Sequence, residues 1–221
     1  MSADVPRWEL ITAWALRVAL VASGIAFLVR EDWGFGVFCF LAVALVAAPM
    51  IVSRTSQFVW PIEVELVLLT LVTAHATLGY LFGFYARLAV FDKILHFSDS
   101  MLIGFLAFLA VYVAHYIRSD RTHRWIDVIA IFLITLGLGA LWEICEFVAD
   151  QWFGTHTQGS PDMSRINDTM WDLIVDGAGG VLAAILGPIY MHHSRRTRAR
   201  VRTFADHLEH RGNRHATANA A

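Results

Sequence analysis

Cysteine is almost missing from this 221-residue chain: Cys39 and Cys145 are the two, each in an apolar stretch of its own. Such placement argues against a disulfide framework or a cysteine metal site, and both are expected to be small buried hydrophobes. Proline is scarce, and neither of the two that fall in apolar segments, Pro49 and Pro188, interrupts one near its middle. No internal repeat is found. Broken helices and inverted repeats are frequent in secondary transporters, so their lack weighs against that class. No stretch alternates polar and apolar residues as a membrane strand does, which leaves helices to satisfy the backbone in lipid. Charged residues make up 16% of the chain and the net charge is −2. With no soluble basic domain to hold it, nucleic acid is not expected as a partner.

What is plentiful is apolar. Hydrophobic residues account for 57% and aromatic ones for 13%, the composition of a polytopic membrane protein. Stretches long enough to cross a hydrocarbon core of about 30 Å lie near residues 10–29, 33–52, 64–84, 94–117, 126–149 and 169–191. Polar breaks separate them: Arg30 to Asp32, Ser53 to Pro61, Tyr85 to Lys93, Arg118 to Arg124, and Gln151 to Asn167. The expected fold is all-α, a bundle of six transmembrane helices forming one domain over residues 1–191, with a basic, disordered cytoplasmic tail at 192–221. The first apolar run is too long for a signal peptide, follows Asp4 and Glu9, and meets no small-residue cleavage site before Arg30, so it is read as a retained helix.

Six spans put both termini on one side. That side collects Arg7, Arg54, Arg118, Arg121, Arg124 and the tail residues Arg195, Arg196, Arg198, Arg200 and Arg202; the other keeps Arg30, Arg87, Lys93 and Arg165. The positive-inside rule then predicts cytoplasmic termini. The tail is expected to be solvated and to touch anionic lipid.

Against this apolar background nine ionisable residues stand out: Asp92, His96 and Asp99; Glu143, Glu146 and Asp150; Asp168, Asp172 and Asp176. Their spacings put each trio on one helical face, within an arc of roughly 60–80°. All three trios fall in the outer halves of the last three spans. With a rise of about 1.5 Å per residue they form three expected layers: Asp92, Asp150 and Asp168 at the interface, His96, Glu146 and Asp172 a turn deeper, and Asp99, Glu143 and Asp176 deeper still. Trp142, Trp152 and Trp171 lie at the same level, as an interfacial aromatic belt should. An ionisable residue at the centre of a membrane helix costs about 2.5–3.5 kcal/mol on insertion scales, so a chain that carries so many has a use for them.

Carboxylates this close cannot all be ionised without a counter-charge. A bound divalent metal ion would supply it. Oxygen ligands favour Mg²⁺, Mn²⁺ or Ca²⁺, and His96 adds Zn²⁺ or Fe to the set. His96, Glu146 and Asp172 are the expected metal ligands, with Glu143 or Asp176 as general base; Asp92, Asp99, Asp150 and Asp168 are further site candidates. Alternatively the trios form a hydrogen-bonded, partly protonated network that ties three helices together. Asp92, Asp150 and Asp168 also stand where Asp is a common helix cap. Elsewhere, His75 reads as an interior histidine, and Arg17 either snorkels or pairs with Glu63 or Glu65. Gly137, Gly139, Gly177, Gly179 and Gly180 are expected to let the fifth and sixth spans approach closely. The loop from Gln151 to Asn167 is either a cover for the site or a plain connection.

Three blocks carry a resemblance. "DKILHF" at Asp92 to Phe97, "WEICEF" at Trp142 to Phe147 and "DLIVDGAG" at Asp172 to Gly179 resemble the signature blocks of VanZ-like membrane proteins. The longer "NDTMWDLIVDGAGG" is similar to the YjdF-type bacterial inner-membrane proteins. The likeness covers roughly residues 85–191. Glu146 stands where VanZ-like chains often have Gln, and Asp176 where many have Asn, so this copy is more acidic. The resemblance implies a multi-pass protein of the bacterial inner membrane and cell envelope, and for VanZ itself a link to glycopeptide-antibiotic tolerance. It brings no reaction with it.

Three functions therefore compete on the residues. One is a metal-assisted hydrolase or transferase acting on a lipid or lipid-linked substrate at the outer leaflet. The second is a non-catalytic protein that binds or scaffolds an envelope ligand through the acidic site. The third is a proton- or cation-coupled transporter. Membrane lipids are the one partner the composition requires; the oligomeric state is not legible.

Overall fold

The structure is a computed structural model. It describes residues 6–56, 62–88, 90–118, 124–154, 157–158, 163–195, 197–199, 201–203 and 205–206, with backbone alone at 49–56, 62–63, 118 and 153. Asp4, His156, Gly159, Pro161, Arg121, Arg196, Arg200, residues 207–221 and the side chains of Arg54, Glu63 and Arg118 lie outside what is described.

The chain is helical, with no strand among the described residues. Helices α1 (Arg7–Val29), α2 (Trp33–Ser56) and α3 (Ile62–Thr73) come first, and α3 runs on as a π-helix over Ala74–Leu81. Then follow α4 (Phe84–Arg87), α5 (Phe91–Arg118), α6 (Arg124–Phe153) and α7 (Arg165–His193). Among the described residues, Arg7–Val29, Val64–Leu81, Phe91–Ile117, Arg124–Trp152 and Arg165–His193 are long and apolar enough to cross a membrane, and Trp33–Ala48 is a shorter apolar helix. The six predicted apolar stretches thus all fall on helices, the last three on α5, α6 and α7.

By contacts the chain divides into two compact units. One holds α1 to α4 and runs to Leu95; the other begins at His96 and holds the rest of α5 with α6 and α7. Each has its own core.

In the first unit, Leu20, Phe27, Cys39, Ala42 and Ala76 are buried together, and Ala13, Val46 and Leu69 make a second cluster. Two polar links join its helices. Arg17 of α1 pairs with Glu65 of α3, one of the two partners the sequence offered, and its guanidinium lies 5.2 Å from the Trp14 ring centre. Ser23 Oγ and Thr77 Oγ1 lie 2.7 Å apart. His75 is partly buried and bonds to Tyr85. Breaking a buried ion pair leaves one charge uncompensated and costs about 3–5 kcal/mol, whereas replacing both partners by apolar residues is close to neutral. Arg17→Leu is therefore expected to lower the thermal midpoint sharply, and Arg17→Leu/Glu65→Leu to regain most of the loss. A double variant no more stable than the single one would contradict this.

The second unit is polar inside and apolar outside. His96, Ser100, Thr135, Glu143, Asp168, Asp172 and Asp176 are buried, while Leu133, Leu138, Leu141, Ile144, Ile174, Ile185 and Ile189 are exposed. In water that distribution would be unfavourable; in lipid it satisfies the polar groups internally and presents hydrocarbon to hydrocarbon. Trp142, Trp152 and Trp171 are likewise exposed. Cys145 is exposed too, against the expectation that it is buried. It lies on the side of α6 away from the polar interior, whereas Cys39 is fully buried as expected.

Small residues set the helix spacing. Any Cβ at Gly104 of α5 would sit 2.8 Å from Ala183 Cβ and 3.1 Å from Gly180 Cα, both of α7. At Gly180 it would meet Thr135 of α6 at 2.8 Å, and at Gly179 the Phe97 carbonyl oxygen of α5 at 2.7 Å. Below these contacts Ala107, Phe108, Ile131, Ala184 and Met191 form an apolar core.

Part of the tail is described. Its described residues at 197–199, 201–203 and 205–206 are helical. Val201 packs on the apolar core of the second unit, Ala205 is fully buried, and Tyr116 Oη donates to Asp206 Oδ1 at 3.1 Å. Alternation of these apolar residues with Arg198 and Arg202 gives the segment a face to bury, which a count of its charges conceals.

Candidate functional site

Three helical faces converge, and each is a row of residues four apart. On α5 the row is His96, Ser100, Gly104 and Phe108; on α6 it is Thr135, Gly139 and Glu143; on α7 it is Asp172, Asp176 and Gly180. Residues four apart lie nearly one above another on a helix. The glycines and Thr135 make the close approach, and the polar members of each row are carried onto the same interior surface one or two turns away.

His96 stands at the centre, 6% exposed. Its Nε2 lies 3.7 Å from Glu143 Oε1 and 3.8 Å from Asp172 Oδ1, and its Nδ1 lies 3.3 Å from Asp176 Oδ1. One imidazole thus faces three carboxylates, all nearly buried. Ser100 Oγ donates to Asp176 Oδ1 at 2.6 Å. The other oxygen of Asp176, Oδ2, is buried without a hydrogen-bond partner and rests against Gly139, where any Cβ would collide with it. Gly139 is therefore the position that lets Asp176 stand beside α6.

The row on α6 decides which of its two glutamates enters. Glu143 shares a face with Gly139 and turns inward; its Oε2 accepts from Thr169 Oγ1 of α7 at 2.7 Å. Glu146 is rotated away from that row and accepts from Trp142 Nε1 at 2.9 Å, one turn earlier on α6. Relative to the layers expected from sequence, α6 is thus displaced by about one turn, with Glu143 level with His96 and Asp172.

The remaining candidates lie on the same three helices. Asp92 is partly buried in the first turn of α5 and pairs with Lys93 at 3.0 Å. Asp99 is partly buried on α5. Asp168 is buried in the first turn of α7, four residues before Asp172. Asp150 accepts three hydrogen bonds from the turn that follows α6: Thr157 N at 2.6 Å and Thr157 Oγ1 at 2.9 Å on Oδ1, and Gln158 N at 3.1 Å on Oδ2. Gln158 Nε2 in turn donates to Thr169 Oγ1 at 3.2 Å. The chain leaves α6 for this turn at Gly154, whose φ of 65° is the left-handed geometry that glycine supplies at a helix C-terminus. Ser100 and Thr169 are inconspicuous in the sequence. The four-residue spacing from His96 marks the first, and the three-residue spacing to Asp172 marks the second.

The two Nε2 distances are too long for hydrogen bonds. Two ligand atoms at about 2.0–2.2 Å from one ion, at a tetrahedral angle, lie about 3.3–3.6 Å apart, close to the spacings here. The Nδ1 contact is what a carboxylate makes when it orients a metal-ligating histidine. His96 Nε2, faced by Glu143 and by Asp172, with Asp176 behind the ring, is a donor set of the chemistry that a divalent ion takes.

A family model described as "Predicted membrane protein (DUF2238)" matches residues 9–193. A protein of Thermotoga maritima described as "Uncharacterized protein" is 29% identical over 136 residues, which is 60% of this chain and 65% of the relative. The match therefore spans just under two thirds of that relative's length. No solved structure matches the chain.

Proposed function

We infer, for a chain that belongs to the DUF2238 family of predicted membrane proteins, that the buried site on α5, α6 and α7 holds a divalent metal ion and hydrolyses or transfers a group of a lipid or lipid-linked envelope substrate. The observation that carries this is the single imidazole of His96 enclosed by Glu143, Asp172 and Asp176 at 3.3–3.8 Å. An imidazole ringed by carboxylates from neighbouring helices is a donor set of the kind that divalent ions take. An ion in that place would polarise a phosphoryl or acyl oxygen and activate water.

The chain's own residues divide the work. His96, Glu143 and Asp172 hold the ion, which gives Glu143 the ligand role that the sequence assigned to Glu146. Asp176, bonded by Ser100, fixes the imidazole tautomer. Asp168, one turn above Asp172 on the same face of α7, is then the carboxylate that accepts the proton, in place of Glu143 or Asp176. Six spans with cytoplasmic termini would open this end toward the outer leaflet, and the VanZ-like and YjdF-type blocks support a place in the bacterial inner membrane. Against a transport path, the apolar core of Ala107, Phe108, Ile131, Ala184 and Met191 follows directly on Thr135.

The test is turnover. The protein in lipid nanodiscs is offered phosphomonoester, pyrophosphate and acyl-ester lipids, first with Mn²⁺ or Zn²⁺ and then after chelation. Product formation that falls to background on chelation and returns with the ion is expected. Turnover that persists after chelation contradicts the metal role, and a retained ion with no turnover on any lipid class assigns the site to ligand binding.

A further inference from the structure

We propose that Thr169 and Gln158 are positioning residues for Glu143, so that the turn after α6 sets how tightly the site holds its ion; this rests on the metal reading above. Glu143 has several rotatable bonds and is held at one oxygen by Thr169, 2.7 Å away, while its other oxygen faces His96 Nε2 at 3.7 Å. Since Thr169 has one hydroxyl proton and spends it on Glu143, its oxygen is left to accept from Gln158 Nε2 at 3.2 Å. Amide, hydroxyl and carboxylate therefore line up with one direction of donation, from the turn inward. The outer end of this chain is fixed as well, because the three donors on Asp150 pin Thr157 and Gln158 to α6. That gives the last acidic residue of the α6 trio a place: Asp150 anchors the turn, and the turn aims Glu143.

Partners that hold a ligating carboxylate typically govern affinity by about 10–100-fold. The experiment is a titration of the full chain in detergent with Mn²⁺, followed by electron paramagnetic resonance, for wild type, Thr169→Val, Thr169→Ser and Gln158→Ala. Thr169→Val keeps the shape and removes the hydroxyl, and it is expected to weaken Mn²⁺ binding by at least about tenfold. Thr169→Ser restores the hydroxyl and should bind within about threefold of wild type, with Gln158→Ala between the two. A purely structural role would lower the thermal midpoint of ion-free Thr169→Val and leave its Mn²⁺ affinity alone. Wild type that binds Mn²⁺ no more tightly than Thr169→Val overturns the proposal, and wild type that takes up no Mn²⁺ overturns the metal reading with it.

Discussion

Mn²⁺ at 100 times its dissociation constant is expected to raise the unfolding free energy of the wild-type protein by about 2.7 kcal/mol and to leave Asp172→Asn unchanged. Without the ion the order should reverse. Three carboxylates around one imidazole repel one another in a site from which water is largely excluded. Asp172→Asn removes one charge and keeps the shape, so the ion-free variant is expected to be as stable as wild type or better, by up to about 2 kcal/mol. Sites kept for function commonly hold such latent instability. Thermal unfolding in detergent, with chelator and with Mn²⁺, reads both halves. A network that existed to tie α5, α6 and α7 together would behave otherwise: Asp172→Asn would be destabilised in both conditions, and Mn²⁺ would stabilise neither protein.

The second large effect comes from a methyl group. Gly179→Ala would put a Cβ 2.7 Å from the Phe97 carbonyl oxygen and 3.0 Å from the Met101 amide nitrogen of α5, and backbone cannot swing aside as a side chain can. Helices α5 and α7 must separate, at an expected cost of about 1–3 kcal/mol or more. The site must feel it, since Asp176 lies one turn before Gly179 on α7 and His96 lies beside Phe97 on α5. A control is built into the sequence. Gly137 on α6 has no atom within 4 Å of its Cβ position, and Ala is favoured over Gly in a helix by about 1 kcal/mol. Gly137→Ala should therefore be neutral or stabilising and leave the ion bound, while Gly179→Ala loses both stability and Mn²⁺ affinity. Equal behaviour of the two variants, seen in thermal midpoint and Mn²⁺ titration, would contradict the packing described here.

Much of this was legible in the chain because two periodicities are strong. Long apolar runs locate the helices, since nothing else can keep so many apolar residues contiguous. Spacings of three and four place His96, Asp172 and Asp176 on interior faces, where the structure brings them together. Glu143 and Glu146 were harder to separate, because both fall within the same arc on an isolated helix. What distinguishes them is the partner helix: Gly139 opens α6 to Asp176, and the row that contains Gly139 continues through Glu143. Ser100 and Thr169 stayed unremarked because a hydroxyl costs little in a membrane helix and so attracts no notice until its acceptor is known. The π-helical turn at Ala74–Leu81 leaves no mark on apolar periodicity, and the two-unit division depends on contacts far apart in sequence. The helical start of the tail was hidden by its arginines, which carry the composition while Val201 and Ala205 do the packing.

Elemental analysis of the detergent-purified protein tests the metal site most directly, with wild type beside His96→Ala and Asp172→Asn, all prepared without chelator. One divalent ion per chain in wild type, lost in both variants, is the predicted result. Wild type with no ion as purified and none after loading with Mn²⁺ or Zn²⁺ would contradict it.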